Sequence, residues 1–223
     1  MASVARSTGS RAAQRRPQPR GERRRQRILA AAEALFAERG YPNTSLDAIA
    51  GEVGIQQPGL LYYFPSKRAL YEAVVDEALG SLGELTQASL STSGPPTRRV
   101  LAGIEGWVDA IAARPTVARL MLHESANPAP ETLPAIFGQV GEQVQRLLDT
   151  AFSELGIAPD PDDVFHFIST MTGSTLFYAS AMQQLMADRG ERRARRSMER
   201  HKTLLLGTAR ALLEQMRATP AHV

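Results

Sequence analysis

Cysteine is missing from this 223-residue chain, so neither a disulfide framework nor a thiolate metal site is possible. No stretch approaches the roughly 20 apolar residues of a membrane span. The basic N-terminus lacks the apolar core of a secretory signal, so the expectation is a soluble, cytoplasmic protein that touches no membrane. Signatures of catalysis are missing as well. His123-Glu124 has no second histidine at zincin spacing, and no glycine-rich phosphate loop or nucleophile elbow occurs. The histidines at 123, 166, 201 and 222 are scattered along the chain. These absences point to a non-enzyme with no cofactor and no metal.

What is present is apolar material for a core and an uneven charge. Hydrophobic residues make up 43% of the chain, ordinary for a globular protein, and the length suffices to bury a core. Residues 1–70 hold 12 Lys+Arg against 5 Asp+Glu, whereas residues 71–223 hold 14 against 18. A positive end on an otherwise acidic protein directs that end to a polyanion. Only Lys67 and Lys202 are lysine; the other basic residues are arginine. Nine arginines fall in residues 1–27. Residues 1–21 have almost no large apolar side chain to offset ordering entropy, so they read as a flexible arm. That arm is either a solubilising tail or a reach into a neighbouring minor groove.

From Glu22 onward the pattern is helical throughout, and the predicted class is all-α with about nine helices. Ile28, Leu29, Ala32, Leu35 and Phe36 form the first stripe, stopped by Gly40, with Tyr41-Pro42-Asn43 as a turn. Thr44 or Ser45 caps a second helix, with Asp47 in capping-box position after Thr44. Ser66 caps a long helix running towards Leu90. Further helices are predicted at 97–113, 116–126, 132–155, 161–188 and 191–217. Asp160 with Pro161 gives the 161–188 helix a strong start. The arginines at 192, 193, 195 and 196 read as a solvated run in a connection between helices.

Between the second and fourth helices lies "GIQQPGLLYYFPSK", residues 54–67. Gly54 supplies the positive φ of a tight turn, Pro58 is tolerated in a first helical turn, and Pro65 forbids helix at Phe64. That leaves a helix of about eight residues. A helix, a glycine turn and a short second helix form a helix-turn-helix, whose second helix enters the major groove of DNA. Leu60 and Phe64 face inward in this reading.

Over residues 27–70 the chain resembles the TetR family of bacterial transcriptional repressors. The resemblance lies in Phe36-x-x-x-Gly40-Tyr41, in Thr44-Ser45-Leu46-x-x-Ile49-Ala50, in Gly54-Ile55, and in Tyr62-x-Phe64-Pro65-x-Lys67-x-x-Leu70. It implies an N-terminal helix-turn-helix domain at 22–70 (motif about 45–64) and a C-terminal helical domain at 71–217. The latter would dimerise and hold an effector. The DNA contacts carried over are Thr44, Ser45, Gln56, Gln57, Pro58, Gly59, Tyr62, Tyr63 and Lys67. Gln56 stands where the family has a Ser or Thr cap. Leu61, which has no hydroxyl, stands at a phosphate-contacting Tyr, so that contact is either absent or supplied by Tyr62. Gln57 is the candidate for base readout, because an amide pairs bidentately with adenine.

The partners expected are double-stranded DNA, a second copy of the chain through the last two helices, and a small-molecule effector. Trp107, Met121, His123, Phe137, Phe165 and Tyr178 are the candidate effector-pocket residues, with plain core packing the alternative for each. A repressor bound to a palindrome as a homodimer is the leading reading. A helical small-molecule-binding protein or enzyme with a vestigial helix-turn-helix is the competing class. A ligand-independent regulator or activator is a third.

Overall fold

Caps and proline stops place most helix ends where local chemistry demands them. A computed structural model of the protein describes residues 20–90, 93–126, 133–186 and 190–218. Among these residues there are nine helices and no strand: α1 (Arg20–Asn43), α2 (Leu46–Val53), α3 (Gln57–Leu61), α4 (Lys67–Leu90), α5 (Pro96–Ala113), α6 (Pro115–Ala126), α7 (Leu133–Glu154), α8 (Pro161–Met186) and α9 (Glu191–Ala218). Residues 1–19 of the expected arm lie outside the described residues, while Arg20 and Gly21 already belong to α1.

α1 departs from expectation at its end. Gly40 breaks the helix at φ 75°, ψ 163°, a conformation only glycine takes without strain. Tyr41-Pro42-Asn43 then resumes as a short helical turn rather than an open one. Ser45, not Thr44, caps α2: its hydroxyl accepts from Ala48 N at 3.1 Å. Asp47 is therefore one position short of a capping box. Thr44 is 1% exposed, and its hydroxyl is shared between the carbonyls of Gly40 (2.9 Å) and Leu35 (3.2 Å). α9 starts at Glu191, as predicted, and the arginines at 192, 193, 195 and 196 are exposed, as a solvated run should be, but they lie on its first turns and not in a connection.

The N-terminal core gathers Ile28, Leu29 and Phe36 of α1, Ile49 of α2, Leu60 of α3 and Leu70 of α4. It continues without interruption into α6 and α8 through Val117, Leu120 and Leu176. A second core joins α5, α7, α8 and α9 around Val108, Phe152, Phe167 and Leu205. Two polar clamps tie α1 and α4 to the corner of α5 and α6 and to α6 itself. Glu33 of α1 accepts from Arg114 and Thr116 at the α5–α6 corner. Tyr71 of α4 donates to Glu124 of α6, and both side chains are buried. Burial, then the Glu124 carboxylate, pushes the Tyr71 phenol pKa far up, so Tyr71 stays a donor at any physiological pH.

The outer helices are fastened by a ring stack. Tyr178 of α8 lies parallel to His201 of α9, with centroids 4.4 Å apart, and the Tyr178 hydroxyl bonds Ser197. Burial pushes the His201 pKa below its ordinary value. The folded state therefore prefers neutral imidazole. Stability from this group is complete above the unfolded pKa of about 6.5 and declines as pH falls through the lower folded value. His201→Phe, which keeps a ring against Tyr178, is expected to flatten the melting temperature between pH 7.5 and pH 5. Parallel pH profiles for the two proteins would show that His201 does not titrate with folding.

Candidate nucleic-acid interface and ligand cavity

The turn before α3 is built by backbone geometry. Gly54 is left-handed (φ 71°, ψ 40°) and its N–H reaches Gly51 O at 3.1 Å, while Ile55 N reaches Ala50 O at 3.0 Å. This paired closure ends α2 and turns the chain by a fixed angle into α3. Gln56 caps α3 without any side-chain hydrogen bond, and Pro58 sits in the first turn. α3 has five residues, not eight. Tyr63 N bonds Leu60 O at 2.9 Å, tightening the end of the helix before Pro65 stops it.

Leu60 and Phe64 are buried, which fastens α3 from beneath as expected. On the other side Gln56, Pro58 and Gly59 are exposed and Gln57 is half-buried. Tyr62 is 84% exposed and stands edge-on to the half-buried Tyr63 at 5.3 Å. Ser45 is exposed, and its cap uses an acceptor lone pair, so the hydroxyl proton is left to donate. Lys67 is partly committed. It donates to Pro42 O at 3.3 Å and lies 4.4 Å from the Tyr41 ring centroid, locking α4 to the end of α1. Burial lowers its pKa, and two of its three N–H groups remain beyond that bond. Thr44 is the site candidate that the geometry removes, since its hydroxyl is turned into the protein.

A cavity of about 670 Å³ opens among α4, α5, α6, α7 and α8. Trp107, Met121 and Phe165 line it, Phe165 with 67% of its surface exposed. Tyr178 does not, because its ring and hydroxyl are spent on α9. Nor does His123, whose ring lies beside Gly40: a Cβ added there would be 3.4 Å from its Nδ1. The side chain of Phe137 lies outside the described residues. Sequence reasoning missed Leu79, Leu82, Ile104, Ile168 and Met171, ordinary apolar residues that nothing marks as cavity walls until the helices are assembled. Most polar groups on the wall are satisfied within their own helices, whereas the Trp107 Nε1–H is buried without a hydrogen-bond partner among the described residues. Ser169 donates to His166 O, Thr172 to Ile168 O and Gln145 to Asp149, and Arg146 pairs with Glu142. Such a wall suits an apolar molecule of ordinary ligand size.

Among the described residues no three His, Asp or Glu side chains converge as a metal site, and no helix is long and apolar enough to cross a membrane.

A pinned short helix behind a glycine turn, with its leading edge outward, defines a DNA-binding regulator of the helix-turn-helix class. The model of bacterial regulatory proteins of the tetR family matches residues 28–74. The HTH-type transcriptional regulator RutR of Escherichia coli (strain K12) is 30% identical over 171 residues, covering 73% of this chain and 77% of RutR. The HTH-type transcriptional activator FasR of Mycolicibacterium smegmatis is 31% identical over 134 residues, which span 60% of this chain and only 59% of FasR. The crystal structure of AibR in complex with isovaleryl coenzyme A and operator DNA superposes with a TM-score of 0.59, 24% identity, and coverage of 70% of this chain and 85% of AibR. This protein belongs to the TetR family of transcriptional regulators.

Proposed function

We propose that the protein is a ligand-responsive repressor that binds a palindromic operator as a homodimer. One observation carries the reading: Leu60 and Phe64 fasten α3 from below, while Gln56, Pro58, Gly59 and Tyr62 are left outward. In this reading residues 22–70 are the reading head. Gln57 and Pro58 face base edges, Gly59 lets the backbone approach, and Ser45, Tyr62, Tyr63 and the remaining donors of Lys67 hold phosphates. Residues 71–217 dimerise and carry the effector cavity. The effector favours a conformer whose two heads are wrongly spaced for successive major grooves, and operator affinity falls. The AibR likeness supports pairing a ligand with operator DNA on this fold. An activator is the second reading, favoured by the name of FasR.

The test is specificity at Gln57. Gln57→Ala is expected to lose about 1–3 kcal/mol on the cognate operator and little on random DNA. Equal losses on both sequences would leave Gln57 as a backbone-positioning residue and move base readout elsewhere.

A further inference from the structure

The opening turns of α1 carry a charge pattern that the helix-turn-helix leaves unused. Arg20, Arg23, Arg24 and Arg27 follow at i, i+3, i+4 and i+7, so they share one face of the helix, and all four are exposed. Together with Gly21 and Tyr63 they line a concave cleft of about 480 Å³. Arg25, off that stripe, turns aside and lies 5.2 Å from the centroid of the Phe64 ring. Arg27 Nη2 reaches the Val53 carbonyl at 3.4 Å, anchoring the inner end of the stripe where α2 gives way to the turn. The acid in the first turn, Glu22, is engaged by Gln26 Nε2 at 3.3 Å. Like charges at i, i+4 destabilise a helix, and a helix start already carries positive partial charge. At an exposed helix end both effects are weak, and both favour an anion beside the stripe.

We propose that this cleft is a clamp for the DNA sugar–phosphate backbone, an inference that rests on the DNA-binding class of the protein. Tyr63 forms one wall and is the residue next to the exposed Tyr62, so the cleft adjoins the edge of α3. It faces the strand that borders the groove α3 enters. Guanidinium groups bind phosphate bidentately, which fixes position without reading sequence. From Arg20 to Arg27 the stripe rises about 10 Å, enough to engage two phosphates. The clamp sets the depth and tilt at which α3 meets the bases.

The experiment is a salt titration of the full chain on random-sequence duplex DNA. Arg20→Ala/Arg24→Ala is expected to weaken binding about ten- to a hundredfold near 0.1 M salt and to lower the log–log salt slope by about two. The melting temperature should not change. Arg20→Lys/Arg24→Lys should restore the slope. Arg192→Ala/Arg193→Ala, which removes the same charge from the start of α9, should leave the slope as in the wild type. An unchanged slope in the first variant, or an equal fall in the α9 control, overturns the clamp. Inorganic phosphate at constant ionic strength should not raise the wild-type melting temperature. A rise that the first double variant abolishes would make the cleft a free-anion site instead. A wild-type protein with no salt-dependent affinity for duplex DNA would overturn the DNA-binding reading itself, a result distinct from failure of the clamp alone.

Discussion

Phe177→Arg is expected to yield a folded protomer that sediments alone and binds operator roughly a hundredfold or more weakly, the loss set by the avidity of two linked heads. Phe177 is 68% exposed on α8, so arginine there disturbs little within the protomer. Gly173, Phe177, Ala181 and Leu185 follow at four-residue spacing, small residues alternating with large exposed ones. α9 offers a comparable outer row in Leu204 (63% exposed), Gly207, Thr208 and Ala211. Large exposed apolar side chains beside small ones suit close approach of another helix, and two such helices from each protomer make a four-helix bundle about a two-fold axis. Leu205, Ala209 and Leu213 of α9 are buried inside the protomer, and the proposed interface takes the adjacent row. An arginine in this seam is desolvated without a partner. Sedimentation of a stable dimer by the variant would place the interface elsewhere.

Glu33→Ala is expected to cost about 3 kcal/mol, or about 6–12 °C in melting temperature for a chain of this size. Glu33 is 6% exposed and accepts from Arg114 Nε at 3.0 Å, from Arg114 Nη2 and from the Thr116 hydroxyl. The Glu33 hydrogen bond, against the effect of burial, raises the Arg114 pKa further above its ordinary range. Removing the carboxylate leaves a partly buried guanidinium whose other acid, Glu77, is 3.9 Å away. Arg114→Ala strands the carboxylate instead and should cost a similar amount. The double variant should cost less than the two singles combined, because neither half is then left uncompensated. Urea unfolding of all three proteins measures this directly. Additive losses would mean that the residues act independently.

The legible parts of this protein are those specified over a few residues. Gly54, Pro58 and Pro65 bracket the reading helix, and Ser66 caps α4 through Ala69 N at 3.0 Å, as their chemistry predicts. Asp160 likewise caps α8 through Asp162 N at 2.8 Å. What escaped the sequence depends on distant neighbours. Thr44 looks like an exposed cap until Gly40 folds α1 back over it. Glu33 and Arg114 lie 81 residues apart, with nothing local to couple them. Tyr178 and His123 resemble pocket residues by size and place, yet their directions are decided by Ser197 and by the Gly40 break. Hydrophobic periodicity locates an apolar stripe, but it cannot say whether Leu204 or Leu205 meets the protomer's own core.

α4 serves two masters. Leu70, Tyr71 and Val74 of this one unbroken helix fill the core beneath α3, and Leu79 and Leu82, two turns on, are walls of the cavity. A molecule that shifts the far end of such a beam shifts the near end too, and the coupling must be reciprocal. Under the proposed function, whatever factor an effector takes from operator affinity, the operator takes from effector affinity. Promoter DNA would then be an antagonist of the ligand, and the number of operator copies in a cell would become part of the dose needed to release them.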